Sequence, residues 1–319
     1  RDWSVTGVQT CALPIYSSTL YSGPGACRVG SALNRIIDWT AHGRNPPGQW
    51  NHGLGAIREY NSAQRSDRSE QGDDVGLTTI GAWNLHHMAS EARIPKGVLE
   101  VIGAVSPDVL VLTEYVHGSS RDGFIRGLLD LGYEPPNMSE WGTGGNQVLI
   151  ACRQPSIAGH IQPPTLTAAA RTNFLHRRLT GVGLDVIGLR APYYKTAKER
   201  DDYWMQLEEC MSAARALNAV FIGDLNWPRS DQSTGRGLSM RRVLTQGFTV
   251  PEPEGTWSYM STNGRSWSLI DHAVLSATVK CNSARFIYRE AGHALAGPAS
   301  ERPLSDHAML WVEVEVLAQ

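Results

Sequence analysis

The chain has 319 residues, enough for one or two domains with a buried core. With 29 Lys and Arg against 31 Asp and Glu, the formal net charge is −2, which excludes a chain-wide electrostatic drive toward nucleic acid or acidic membrane. The 41% hydrophobic content, 19% charged content and ten tryptophans exclude a wholly disordered protein, and no apolar run approaches the ~20 residues that span a bilayer.

Val5 to Ile15, VTGVQTCALPI, lacks the basic head, apolar middle and small-residue cleavage site of a signal peptide, and it has no sustained period. The string resembles translated sequencing adapter, so residues 1–16 are expected to be an artefact without function. Setting Cys11 aside leaves Cys27, Cys152, Cys210 and Cys281 without CxxC spacing. Zinc clusters and thioredoxin-like chemistry are unsupported, and a reducing cytoplasm is the expected compartment. Residues 17–76 are rich in Gly, Ser, Pro, Asn and Arg, with one helical candidate in SALNRIIDWTAHG. They read as a disordered or non-native tail, with Val75 a candidate alternative start.

From 77 to 319 the texture changes. LTTIGAWNL alternates like a strand, IPKGVLEVIGAV has helical spacing and PDVLVLTEY is a nearly continuous apolar strand, which together form a βαβ pattern. NQVLIACR and GVGLDVIGLRAP are strand-like. TAKERDDYWMQLEECMSAARALN is a long helix with Trp204, Leu207, Met211 and Ala214 on one face. NAVFIGDLN, WSLIDHAVLSATV and AMLWVEVEVLA read as further strands. Strands separated by helices, without internal repeats, predict one large α/β domain over 77–319.

Several of these apolar strands end in an acid or an amide: Asn84 in WNLHH, Glu114 in VLVLTEY, and Asp224 and Asn226 in VFIGDLN. SLIDHAVL and LSDHAML add Asp271, Asp306 and His307. Taken singly, each has an alternative reading as a cap or turn residue. Together, carboxylates at converging strand ends need a cation, mutual hydrogen bonds or water.

In their order, the segments WNL, PDVLVLTE, GLRAP, FIGDLN, SLIDHAVL and SDHAML resemble the endonuclease/exonuclease/phosphatase family, the superfamily of deoxyribonuclease I, exonuclease III, sphingomyelinases and inositol polyphosphate phosphatases. The resemblance runs from about Thr78 to Val316. It implies an α/β four-layer sandwich, two mixed β-sheets flanked by helices, and metal-dependent phosphoester hydrolysis at one edge between the sheets. Carried over by position, it implies Asn84, Glu114 and Asp306 as ligands of Mg²⁺ or Mn²⁺, whose preference is for oxygen donors. Asp224 would orient or deprotonate the attacking water, and Asn226 would bind the phosphate and the nucleophile. His307 would stabilise charge on a non-bridging oxygen, with Asp271 fixing its tautomer.

The sequence departs from the family pattern in two places. His86 stands where some relatives place a second acid near the metal. Arg190 of GLRAPYY stands where relatives carry His or Tyr; a guanidinium suits bidentate phosphate binding but transfers no proton at neutral pH. Its alternative is a structural salt bridge, with Tyr193 and Tyr194 as neighbouring phosphate donors. His42, His52, His117, His160, His176 and His293 read as surface or satisfied core residues, while His86, His87 and His272 adjoin motifs without a matched role. The WDYR-like signature of abasic-site endonucleases is replaced by TWSYMSTNGRSWSLID, which weakens a DNA-repair assignment. The expected function is a Mg²⁺-dependent phosphoester hydrolase, a nuclease or phosphodiesterase, with a phosphoinositide or sphingomyelin-type phosphoesterase and a non-catalytic binding module as alternatives. The expected partner is a phosphoester substrate, with nucleic acid a candidate, and the expected state is a monomer.

Overall fold

The strands β1 (Leu77–Asn84) and β2 (Val109–Tyr115) run parallel, with Ile80 opposite Val109 and Asn84 opposite Thr113. The crossover between them contains helix α1 (Lys96–Val105). In β2, alternate side chains leave on opposite faces, so Val109 and Val111 enter one apolar cluster and Leu110 and Leu112 another. This computed structural model describes residues 76–86, 94–118, 121–140 and 146–318. The adapter-like string at 5–15, the helix expected over 31–43, the tail as far as residue 75 and His87 lie outside the described residues.

The first sheet is completed by β3 (Asn137–Met138), β4 (Gln147–Cys152), β12 (Val279–Ile287) and β15 (Met309–Val316), in the order β12-β15-β1-β2-β4-β3. The second contains β5 (Ser156–Ala158), β6 (Phe174–Leu179), β7 (Leu184–Arg190), β8 (Ala219–Asp224) and β11 (Asp271–Leu275), in the order β11-β8-β7-β6-β5. Each sheet is mixed, with one parallel pair, β1 with β2 and β7 with β8. Ile80, Val111 and Val148 of the first sheet share the central apolar layer with Val186, Val220 and Ile222 of the second. Gly188 allows the close approach, because a Cβ there would lie 2.7 Å from Val111 Cγ1 and 2.9 Å from Val148 Cγ1.

Helices cover the outer faces, giving the four layers expected. Val98, Val101 and Ile102 of α1 and Phe124 and Leu128 of α2 (Asp122–Asp130) pack on Leu110 and Leu112. On the other side, Tyr203, Trp204, Leu207 and Met211 of α4 (Ala197–Ala213) pack on Ile187, Leu189 and Phe221; the short helix α3 (Ala168–Thr172) precedes β6. Thr196 starts α4 by accepting from Glu199 N at 3.2 Å while its hydroxyl donates to Glu199 Oε2 at 2.8 Å. Met240 and Val243 of α5 (Gly235–Thr245) complete this layer.

The segment WSLIDHAVLSATV is not one strand. It contributes β10 (Trp267–Ser268), paired with β9 (Tyr259–Met260), then β11, and it ends at the first residue of β12. The break is chemical: Ser276 Oγ donates to Leu217 O at 2.7 Å and accepts from Ala219 N at 2.9 Å, and Val279 N closes a turn onto Ser276 O at 3.0 Å. A short ribbon of β13 (Arg289–Glu290) and β14 (His293–Ala294) precedes β15. Among the described residues, no helix is long and apolar enough to cross a membrane.

Candidate functional site

The two parallel pairs bring their carboxyl ends together. Asn84 ends β1, Glu114 lies at the end of β2, Arg190 ends β7 and Asp224 ends β8. Asn84 Nδ2 donates to Glu114 Oε1 at 3.3 Å and to Asp224 Oδ2 at 3.1 Å, joining the two sheets. Arg190 Nε lies 2.6 Å from Glu114 Oε1 and 3.7 Å from Asp224 Oδ2. That buried nitrogen makes no aligned hydrogen bond, so the contact is a charge contact.

Asp271 begins β11 directly opposite Asp224 in the antiparallel register. Its Oδ2 accepts from His307 Nδ1 at 2.8 Å across 36 residues of chain, and this fixes the ring's orientation with Nε2 facing away from Asp271. The segment before β15 is held by groups that the sequence reading did not single out. Ser305 Oγ donates to Asn84 O at 2.7 Å and accepts from His307 N at 3.1 Å, and Trp83 Nε1 donates to His307 O at 2.8 Å. Ser258 Oγ accepts from Ile270 N and Asp271 N at 2.9 and 3.0 Å, and the Tyr259 ring lies 5.2 Å from the His307 ring. The only sequence signal for Ser305 and Trp83 is adjacency, since each lies within two residues of a motif residue. Nothing local marks Ser258.

Asn226 turns back on Asp224. Its backbone N donates to Asp224 Oδ1 at 2.9 Å, and its Nδ2 donates to Ala191 O at 2.7 Å and reaches Asp224 Oδ2 at 3.3 Å. Arg236 NH1 holds Asn226 O at 2.8 Å. Three non-glycine residues here, His86, Glu114 and Asn226, have φ of +48°, +53° and +48°. Left-handed backbone costs such residues ~1–2 kcal/mol and is maintained only where the surroundings enforce it. At Glu114 the enforcement is a register shift between Leu112 and Tyr115 in the pairing with β4.

The charges are perturbed accordingly. Burial first, then the facing Asp271, push the Asp224 carboxyl up to about 6, against the pull of His307 and Arg190. Burial alone would lower His307, but the charge and hydrogen bond of Asp271, with Asp224 and Asp306 behind, push it up to about 10, so its imidazole is cationic. Asp306 is buried enough to be raised, yet its bond from His86 and the charges of His307 and His86 hold it below the usual carboxylate range. His86 Nδ1 lies 2.9 Å from Asp306 Oδ2, and that hydrogen bond raises the imidazole.

Glu114 and Asp306 offer carboxylate oxygens, which suit a hard divalent cation that takes one or two carboxylates and keeps its waters, while the Asn84 side-chain oxygen accepts from His86 N at 2.8 Å and has a second lone pair to offer. Among the described residues, no group of three or more His, Cys, Asp or Glu is arranged to hold a metal by itself. Glu114 faces the guanidinium of Arg190, and Asp306 pairs with the imidazole of His86. The carboxylate chemistry therefore fits such a cation, which would have to compete with Arg190 for Glu114 and with His86 for Asp306. Tyr193 is exposed, and Tyr194 directs its hydroxyl to Thr167 Oγ1 at 3.2 Å; neither contacts this cluster through a hydrogen bond. His176 is a satisfied core histidine, accepting from Ile161 N at 3.1 Å and donating to Asp185 Oδ1 at 2.9 Å. His272 likewise donates from Nε2 to Trp227 O at 2.8 Å.

The model of the Endonuclease/Exonuclease/phosphatase family matches residues 81–307. A search of curated proteins finds no match. Among solved structures, the 3' phosphatase NExo from Neisseria, bound to product DNA hairpin, is 21% identical, with 74% of this chain and 98% of that one covered at a TM-score of 0.58. An AP endonuclease from Archaeoglobus fulgidus is 15% identical, with coverage of 74% and 98% and a TM-score of 0.56. Truncated Caenorhabditis elegans TDP2 is 14% identical, with coverage of 76% and 100% and a TM-score of 0.56. Likenesses at this identity establish the shared fold.

Proposed function

Because the chain belongs to the endonuclease/exonuclease/phosphatase family, whose members are phosphoester hydrolases that generally use divalent metals, we propose that it hydrolyses a phosphodiester, with nucleic acid the favoured substrate class. The observation that carries the reading is the His307–Asp271 pair at 2.8 Å, set beside Asp224, which is joined to Glu114 through Asn84. The named activities of the Neisseria and Archaeoglobus proteins support nucleic acid over lipid.

In this reading Asp224 takes the proton of the attacking water. A carboxyl raised toward neutrality is a stronger base than an exposed one and is still ionised near pH 7. Asn226 keeps Asp224 aimed, through both its backbone N and its side-chain amide. His307, cationic and fixed by Asp271, donates from Nε2 to a non-bridging oxygen as charge builds there. Arg190, rather than Tyr193 or Tyr194, is the additional phosphate donor. Asn84, Glu114 and Asp306 would hold Mg²⁺ or Mn²⁺, which when bound neutralises phosphate charge and polarises the P–O bonds.

The test is turnover by the purified full chain, with Mg²⁺ and with Mn²⁺, on plasmid DNA, RNA, phosphoinositides and sphingomyelin. Excess chelator serves as the control. Metal-dependent cleavage of DNA or RNA is expected. Turnover confined to a lipid substrate would reassign the substrate class, and absence of turnover on the whole panel would favour a binding module.

A further inference from the structure

We infer that Arg190 has two positions, counter-ion of Glu114 when the site is empty and phosphate ligand when a divalent cation takes Glu114, so that cation and phosphate bind cooperatively. The inference rests on the proposed phosphodiesterase reading and deepens it.

A permanently charged guanidinium lies 2.6 Å from an oxygen of Glu114, one of the carboxylates assigned to the metal in the proposed reading. A divalent cation on Glu114 would then share one carboxylate with Arg190, and like charges at that range repel. An anion that both cations contact would relieve the repulsion. Arg190 is prepared for such a move. Its backbone is fixed, with its N donating to Asn173 O at 3.0 Å and its Cα partnered with Asp224 across the parallel ladder. Its Nε, by contrast, is buried yet makes no aligned hydrogen bond to Glu114 or Asp224. A buried donor left in that state gains by meeting a well-placed acceptor. A tetrahedral phosphate offers the bidentate acceptor that a guanidinium fits.

The second acid repeats the arrangement with a weaker partner. Asp306 pairs with His86 at 2.9 Å, and the His86 side chain is more than half exposed, so that contact is open to solvent exchange. Glu114 and Arg190 are both mostly buried, which makes their contact the one that a metal must overcome.

The test measures Mn²⁺ binding by the loss of the free-ion electron paramagnetic resonance signal, on the full chain, with and without dimethyl phosphate. In wild type, dimethyl phosphate should tighten Mn²⁺ binding roughly tenfold. Arg190→Gln should bind Mn²⁺ alone roughly tenfold more tightly than wild type, and the diester should add less than about twofold. Equal or weaker Mn²⁺ binding by a folded Arg190→Gln overturns the inference. If that variant does not fold, Arg190→Lys decides: it keeps the charge and loses the fork, so loss of the diester effect supports the inference and its retention overturns it. Glu114→Gln separates the two levels. If it binds Mn²⁺ as wild type does, the metal assignment itself fails. If it abolishes binding while Arg190→Gln changes nothing, only the role given to Arg190 fails.

Discussion

Lowering the pH is expected to remove about 3 kcal/mol of stability through one buried imidazole, His272. Burial, outweighing the Trp227 carbonyl and the charge of Asp271, lowers this group from 6.5 to about 4. It is therefore neutral in the folded protein at neutral pH, donating from Nε2 to Trp227 O at 2.8 Å with its ring 5.0 Å from that of Trp227. The unfolded chain takes up the proton first as pH falls. The stability that His272 contributes is thus complete above about pH 6.5 and is lost toward pH 4. A gap of about 2.5 pH units at ~1.36 kcal/mol each gives ~3 kcal/mol. Urea titrations of wild type and His272→Gln between about pH 8 and pH 4 measure it, because glutamine preserves a donor for Trp227 and takes up no proton. The stability of wild type relative to the variant should fall by ~3 kcal/mol across that range. A difference that does not change with pH would refute the reasoning.

Asp271→Asn should lower kcat roughly 10²–10⁴-fold, because the imidazole loses the anion that holds it cationic; kcat profiles against pH should show the essential acid limb moving downward. Ser305→Ala leaves Asn84 O and His307 N without their shared partner and should cost ~1–3 kcal/mol in denaturant titration together with a fall in kcat. Gly188→Val drives a side chain into Val111 and Val148 between the sheets, and it should lower stability by ~1–3 kcal/mol or more in thermal unfolding.

Much of the fold was legible because the central strands are buried on both faces and read as apolar runs that stop at a polar residue, as in VLVLTE and VFIGD. The strands that escaped notice lack that signal. FLHRRL forms β6 with two arginines and a histidine in six residues; His176 is buried there only because Asp185 and Ile161 N satisfy it. VKCNSARFI forms β12 at a sheet edge, and α5 opens on GRG with little apolar character. At the site, the conjunction of Asn84, Asp224, Asp271 and His307 was readable from motif order. The pairing of Arg190 with Glu114 was not, since it depends on the register of two different sheets and on the left-handed turn at Glu114. Ser258 and Ser305 act through hydroxyl bonds to distant backbone, and spacing along the chain does not encode such bonds.

The most direct measurement is kcat for bis-p-nitrophenyl phosphate with Mn²⁺, in wild type beside His307→Ala and Asp224→Asn, each verified as folded by circular dichroism. Wild type should turn over, and each variant should lose roughly 10²-fold or more in kcat. Turnover by both variants at the wild-type rate would contradict the assignment of Asp224 and His307 to the chemical step.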